Sequence, residues 1–341
     1  MKIAVVGLGA VGGLLAARLS RAGHTVCGLA RGATLAAVRA RGLLVHAGDT
    51  SSEVPSEVPI TASDDAAALG RQDLVVVAVK ATALAEAAPA LAPLFGPATL
   101  VLPAMNGVPW WFLQAAPAAG RLADTHLASI DPTGRIAAAL PLSRVLGCVV
   151  HLSCTRPAPG VVRHGLGNRL IVGEPCGGAS PRTDAVCAAL ADAGFDAEAS
   201  DDIRRDIWFK LWGNMTMNPV SALTGAATDR ILDDPLVHAF ILRSMGEAAR
   251  IGAGVGCGVA QSGEARMALT RQLGGFKTSM LQDTLAGRAL ELDALVGAVR
   301  EIGVRLNLET PNIDALFGLS RLMARERGLY PPPPADVARA A

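Results

Sequence analysis

Two clusters in this chain carry residue types at spacings that could do chemistry. In Asp206-Ile207-Trp208-Phe209-Lys210-Leu211-Trp212-Gly213-Asn214-Met215-Thr216-Met217-Asn218-Pro219, the residues Lys210, Asn214 and Asn218 recur every four positions. They therefore share one stripe of a helix otherwise filled with Trp, Phe, Leu and Met. Burial disfavours a charged ammonium, so a lysine in such company gives up its proton more readily and can act as an acid near neutral pH. The two asparagines offer donors and acceptors suited to holding a carboxylate or a hydroxyl in a fixed pose. An ordinary amphipathic helix with a solvated polar stripe has the same spacing; the aromatic bulk around these residues favours the functional reading. Asn218 precedes Pro219, where the helix is expected to end or kink.

The second cluster opens the chain. Lys2-Ile3-Ala4-Val5-Val6 reads as a buried strand, and Gly7-Leu8-Gly9-Ala10-Val11-Gly12 leads into an apolar-periodic helix running to about Ala22. Glycine serves a different purpose at each position: a tight turn at Gly7, close approach of backbone to a pyrophosphate at Gly9, and close packing of helix on strand at Gly12. The N–H groups at the helix start would hold the anion. A glycine-rich turn without a ligand has the same letters, but the strand before and the helix after supply the context of a dinucleotide site. At the tip of the next strand, Thr25 to Ala30, where an NAD enzyme places Asp or Glu for the ribose 2′-hydroxyl, this chain has Arg31. A guanidinium there can grip a 2′-phosphate, which favours NADPH over NADH. Lys80, closing the strand Leu74 to Val79, is a second candidate cation for the same phosphate. Both cations could equally be solvated strand-end residues.

These clusters must be positioned by two domains, since 341 residues exceed one core. Strand and helix patterns alternate in the first half: a weak strand near Leu43 to Val45, the strand ending at Lys80, a helix around Thr82 to Leu94 and a strand Thr99 to Leu102. Val145 to Ser153, Gly160 to His164 and Arg169 to Gly173 read as antiparallel strands, followed by a helix from about Thr183 to Ala193. From Asp201 the pattern is helical. The expected architecture is α/β: a Rossmann-type dinucleotide domain over 1–200, an all-helical domain over 201–330 and a proline-rich tail over 331–341. A net charge of +1 without a concentrated basic face argues against nucleic acid, and no segment reaches the roughly 20 clean apolar residues of a membrane helix. A core strand begins at once, so no signal peptide is expected. Six cysteines without paired spacing suggest reduced thiols in a cytoplasm. His151 and Cys154 lack a second pair at ligand spacing, so no metal is expected.

Taken in order, the glycine turn, Arg31, Lys80, Asn106-Gly107 after the fifth strand, Lys210-x-x-x-Asn214-x-x-x-Asn218-Pro219, Ser279-Met280-Leu281-Gln282-Asp283 and Glu291-x-Asp293 resemble the ketopantoate reductase family over about residues 1 to 325. The resemblance implies NADPH-dependent reduction of 2-dehydropantoate to pantoate. It implies Lys210 as the acid that protonates the ketone oxygen and Glu291 as the residue that positions substrate and lysine. Asn214, Asn218 and Ser279 would bind substrate, and Asn106 would touch both substrate and nicotinamide. On their own, Ser279 reads as a capping or solvated serine and Glu291 as a carboxylate favouring a helix start. Two features depart from the family pattern. Val108-Pro109-Trp110-Trp111-Phe112 is bulky where smaller or polar residues are expected, and would either line the substrate site and favour another 2-oxo acid or pack in a core. The segment 104–147 is long, and His126, Asp131 and Arg135 within it have no assigned role. Open alternatives are a reductase of a different 2-oxo acid or an imine, and a non-catalytic NADPH-binding sensor. Exposed apolar helices leave a homodimer open.

Overall fold

The computed structural model describes residues 1–47, 56–114 and 116–332. The proline-rich tail lies, from residue 333 on, outside the described residues. The elements run β1 (Lys2–Val6), α1 (Ala10–Arg21), β2 (Thr25–Leu29), α2 (Gly32–Arg41), β3 (Leu43–Ala47), β4 (Ser56–Val58), β5 (Thr61–Ser63), β6 (Gln72–Val77), α3 (Ala81–Ala87), β7 (Phe95–Pro103), α4 (Arg135–Ala139), β8 (Gly147–His151), β9 (Cys154–Ala158), β10 (Val161–His164), β11 (Arg169–Gly173), α5 (Pro181–Asp192) and β12 (Asp196–Ser200). Helices then follow without interruption by a strand: α6 (Ile203–Thr224), α7 (Thr228–Asp233), α8 (Pro235–Gly254), α9 (Gly263–Gln272), α10 (Ser279–Leu285), α11 (Ala298–Arg305) and α12 (Pro311–Glu326). The chain forms two compact units, Met1–Ala116 with Asp131–Ile207 and Pro117–Ile130 with Trp208–Ala341. The division falls inside α6.

The first unit is built on a parallel sheet of order β5-β2-β1-β6-β7. Ile3 to Val6 and Leu74 to Val77 are buried without alternation, as strands covered on both faces must be. Two smaller sheets, β4-β3-β10-β9 and β12-β11-β8, complete the unit. The strands expected to be purely antiparallel are mixed: β8 with β11 and β9 with β10 are antiparallel, but β10 runs parallel to β3 and β11 parallel to β12. The expected helix from Thr82 to Leu94 is α-helical only to Ala87 and continues as a 3-10 turn over Ala88–Leu94, where Pro89 and Pro93 remove amide donors. Trp110, Trp111 and Phe112 are buried in the first unit; Trp110 Nε1 donates to the Leu140 carbonyl at 3.3 Å, and Arg204 stacks on Phe112. Core packing is thus the role of that aromatic run. Asp131 is also structural: its buried carboxylate accepts the Ile136 and Ala137 amides and caps α4.

In the second unit, Glu301 on α11 accepts the Ala128 and Ser129 amides at 2.9 and 2.8 Å and the Ser129 hydroxyl at 2.6 Å. That clamp secures the 117–130 excursion and accounts for much of the long connection. The end expected at Asn218 does not occur; α6 continues through Pro219 to Thr224. Residues 215–222 are all buried, and that packing offsets the roughly 3 kcal/mol an interior proline costs. Among the described residues no helix is long and apolar enough to cross a membrane.

The joint between β11 and α5 is electrostatic. Buried Glu174 accepts from Arg182 Nε at 2.6 Å and from the N-cap hydroxyl of Ser180. The hydrogen bond from Arg182 holds the Glu174 carboxyl below its ordinary range. A carboxyl lowered on folding adds stability above its unfolded pKa and loses it as pH falls through the folded one. Glu174→Gln should therefore cost about 1–3 kcal/mol near pH 7 in urea melts. The gap to wild type should shrink on acidification below the ordinary carboxylate range; a gap independent of pH would remove the ion pair from this role.

Candidate active site

At Gly7 and Gly12 the glycine turn is set by contacts that leave no room for side chains. Gly7 has φ +92°, donates its amide to the Leu29 carbonyl at 2.9 Å, and a Cβ there would lie 2.9 Å from Val79. A Cβ on Gly12 would lie 2.0 Å from the Gly7 carbonyl oxygen, so α1 can rest on the turn only through glycine. Gly9 faces open space, with nothing within 4 Å of a Cβ built on it. It is also the N-cap of α1, contributes no side-chain cap, and the first turn holds no acidic residue. The first amides of α1 are therefore left for an anion, and the missing side chain at Gly9 leaves it room to approach. The arrangement fits a dinucleotide pyrophosphate. Leu8 turns inward and is buried, so it serves the turn through its backbone, as do Ala10 and Val11.

Register brings the other candidates of this unit to the same edge. Leu29, Val6, Val77 and Pro103 pair across β2, β1, β6 and β7. Immediately beyond that row the chain reaches Arg31, Gly7, Lys80 and, three residues after Pro103, Asn106. The sheet order reverses its winding at β1, and ligands of such sheets lie at the carboxyl ends of strands next to that reversal. Arg31 is the N-cap residue of α2, with its guanidinium exposed and paired with Glu86 at 3.1 Å. An exposed pair of this kind is worth at most about 1 kcal/mol, so a phosphate can displace Glu86. Lys80 occupies the N-cap position of α3, without a side-chain capping bond, and is half-buried.

In the helical unit, Lys210 and Asn214 are half-buried on α6 and Asn218 is buried one turn further on. Ser279 is the exposed first residue of α10, whose N-cap is Thr278, accepting the Leu281 amide at 3.2 Å. Glu291 is half-buried and enters a turn of π-helix over Asp293–Gly297 that runs into α11. That turn is pinned by Tyr330, whose hydroxyl donates to Asp293 Oδ1 at 2.7 Å, and by the Leu290 amide on the Leu329 carbonyl at 2.9 Å. Burial raises the Asp293 carboxyl, against the pull of Tyr330 and two arginines. A π-turn is an uncommon element that tends to mark functional positions. Neither Tyr330 nor the π-turn carries a local signal in the sequence.

A parallel nucleotide-binding sheet with an uncapped glycine turn, joined to a helical unit with a lysine–asparagine stripe, defines a two-domain dinucleotide-dependent oxidoreductase. The chain belongs to the ketopantoate reductase family: residues 3–176 match the family described as Ketopantoate reductase PanE/ApbA and residues 202–324 its C-terminal domain. A 2-dehydropantoate 2-reductase of Mesorhizobium japonicum is 42% identical over 332 residues, covering 97% of this chain and 100% of that protein. A crystal structure from Ralstonia solanacearum MolK2, provisionally designated a ketopantoate reductase, has 58% identity and a TM-score of 0.90, covering 96% of this chain and 99% of that one. A PanE/ApbA family ketopantoate reductase from Ralstonia eutropha JMP134 has 27% identity and a TM-score of 0.81, covering 96% and 100%.

Gly9 and Gly12 should separate in mutagenesis. Gly12→Ala is expected to cost at least about 1–3 kcal/mol by overpacking and to lower the melting temperature of the apo-protein. Gly9→Ala should cost no more than about 1 kcal/mol as a poorer N-cap, while weakening dinucleotide binding in a titration followed by fluorescence. Equal melting temperatures for the two variants would contradict the contact assigned to Gly12.

Proposed function

We propose that this protein reduces 2-dehydropantoate to pantoate with NADPH, and that Lys210 is the acid. The observation that carries the reading is the joint presence of the uncapped glycine turn with Arg31 at its edge and the stripe of half-buried Lys210 and Asn214 with buried Asn218, in a chain 42% identical to a 2-dehydropantoate 2-reductase. NADPH, when bound, supplies the hydride. The amides opening α1 hold the pyrophosphate, and Arg31 with Lys80 grips the 2′-phosphate. Asn214, Asn218 and Ser279 fix the 2-oxo acid substrate, while Asn106 orients both ligands. The Lys210 ammonium would stabilise the negative charge that develops on the carbonyl oxygen during reduction and give that oxygen its proton, so that the product is the 2-hydroxy acid. Glu291 holds the lysine and is a positioning residue. Six free thiols support a cytoplasmic location, and exposed Leu319 and Leu322 on one face of α12 support a homodimer.

NADPH oxidation with 2-dehydropantoate tests the acid. Lys210→Ala should lower kcat by about 100-fold or more, in the range that general acids supply. A loss within tenfold, about 1.4 kcal/mol of barrier, would overturn the assignment. For the cofactor, Arg31→Asp should weaken NADPH binding far more than NADH binding; equal weakening of both would mean that Arg31 does not read the 2′-phosphate.

A further inference from the structure

Arg266, on α9, is a cation without an anion. Its guanidinium lies over the Phe209 ring, 5.6 Å from the centroid, and Nη1 donates to Thr270 Oγ1 at 3.0 Å. Nε is buried and has no hydrogen-bond partner. Among the described residues no carboxylate pairs with it, and burial alone pulls its pKa down. A desolvated charge left in this condition costs stability, and a structural arginine in such a place normally has a carboxylate beside it.

The seat of that guanidinium is specific. A Cβ on Gly213 of α6 would meet Nη2 at 2.7 Å and Cζ at 2.9 Å, so the planar group lies directly on the helix backbone where a side chain is missing. Glycine inside a helix costs about 1 kcal/mol relative to alanine, and here the vacancy is filled by Arg266. Phe209 and Gly213 form the ridge of α6 next to the ridge of Lys210 and Asn214, one residue on in each case. A planar fork with unused donors therefore flanks the stripe that carries the candidate acid. Its complement is a carboxylate, which accepts two parallel N–H bonds from such a fork.

We propose that Arg266 binds the carboxylate of the 2-oxo acid and thereby sets the preference of this enzyme for acids over neutral ketones. The inference rests on the reductase reading above and adds to it a residue that selects substrate class. Arg266 would anchor one end of the substrate while Lys210 serves the carbonyl, which fixes which carbonyl oxygen meets the ammonium.

The test compares 2-dehydropantoate with its methyl ester in the wild type, Arg266→Gln, Arg266→Lys and Gly213→Ala. Arg266→Gln should raise KM for the acid by about 50-fold or more with kcat within threefold, and leave kcat/KM for the ester within twofold. Arg266→Lys should recover part of the loss, as a point charge without the fork. Gly213→Ala keeps the arginine but displaces it, and should show the same selective loss. Equal losses on acid and ester, or no loss on the acid, would overturn the assignment. Oxalate binding measured by calorimetry provides a readout independent of turnover. Oxalate bound by wild type and lost in Arg266→Gln would sustain the carboxylate site even if wild type reduced none of the 2-oxo acids, in which case the reductase reading alone would fall. Equal oxalate affinity in the two proteins, or none in either, would sink the proposal.

Discussion

The contact between Gly12 and the Gly7 carbonyl is the constraint on which the nucleotide-binding unit depends. With a Cβ only 2.0 Å from that oxygen, no other residue lets α1 descend onto the turn that follows β1. The descent fixes the direction of the helix, and with it the aim of the first amides of α1 at the carboxyl edge of the sheet. Gly9 completes the device by doing little. As an N-cap it sacrifices only a few tenths of a kcal/mol relative to serine, and it leaves the helix amides without an internal acceptor. The same row of paired residues that places Gly7 also delivers Arg31, Lys80 and Asn106, so the candidate ligands of this unit follow from one backbone contact and one strand register.

The parts of the fold legible in the sequence are those whose signal is local. β1 and β6 announce themselves as apolar runs because a central parallel strand is covered on both faces. β4, β5 and β12 escape because they are held by a neighbour's backbone: the first two are three residues long, and β12, Asp196–Ser200, carries alanine and acidic residues of poor strand propensity while pairing in full with β11. The mixed direction of the strands around β10 and β11 is likewise a property of distant partners. Pro219 fails as a stop signal for the opposite reason, since local chemistry is overruled by the burial of residues around it.

The site divides along the same line. Six consecutive residues encode the glycine turn, and four-residue spacing encodes the Lys210 stripe, so both can be read without knowing the fold. The aromatic run at Trp110, Trp111 and Phe112 could not be resolved that way, because the letters of a lined pocket and of a core are identical. The π-turn after Glu291 is hidden too: Tyr330, which pins it through Asp293, comes from the far side of α12 in the chain.

Charged groups in the helical unit include carboxylates fully clamped by the fold and a guanidinium that is not. Glu301 is saturated, accepting two amides and a hydroxyl and pairing with Arg305; Glu247 likewise accepts the Asn312 and Ile313 amides at the start of α12. Buried carboxylates so completely satisfied serve as clamps, and their cost is met within the fold. Arg266 breaks this pattern twice over. Its own Nε lacks an acceptor, and the helix beneath it carries glycine at an interior position where alanine would be better by about 1 kcal/mol. Two independent sacrifices of stability meet at a single guanidinium beside the ridge of Lys210, the proposed acid. Stability forgone at that guanidinium is what a binding function leaves behind, because a group held ready for a ligand must lack its partner until the ligand arrives.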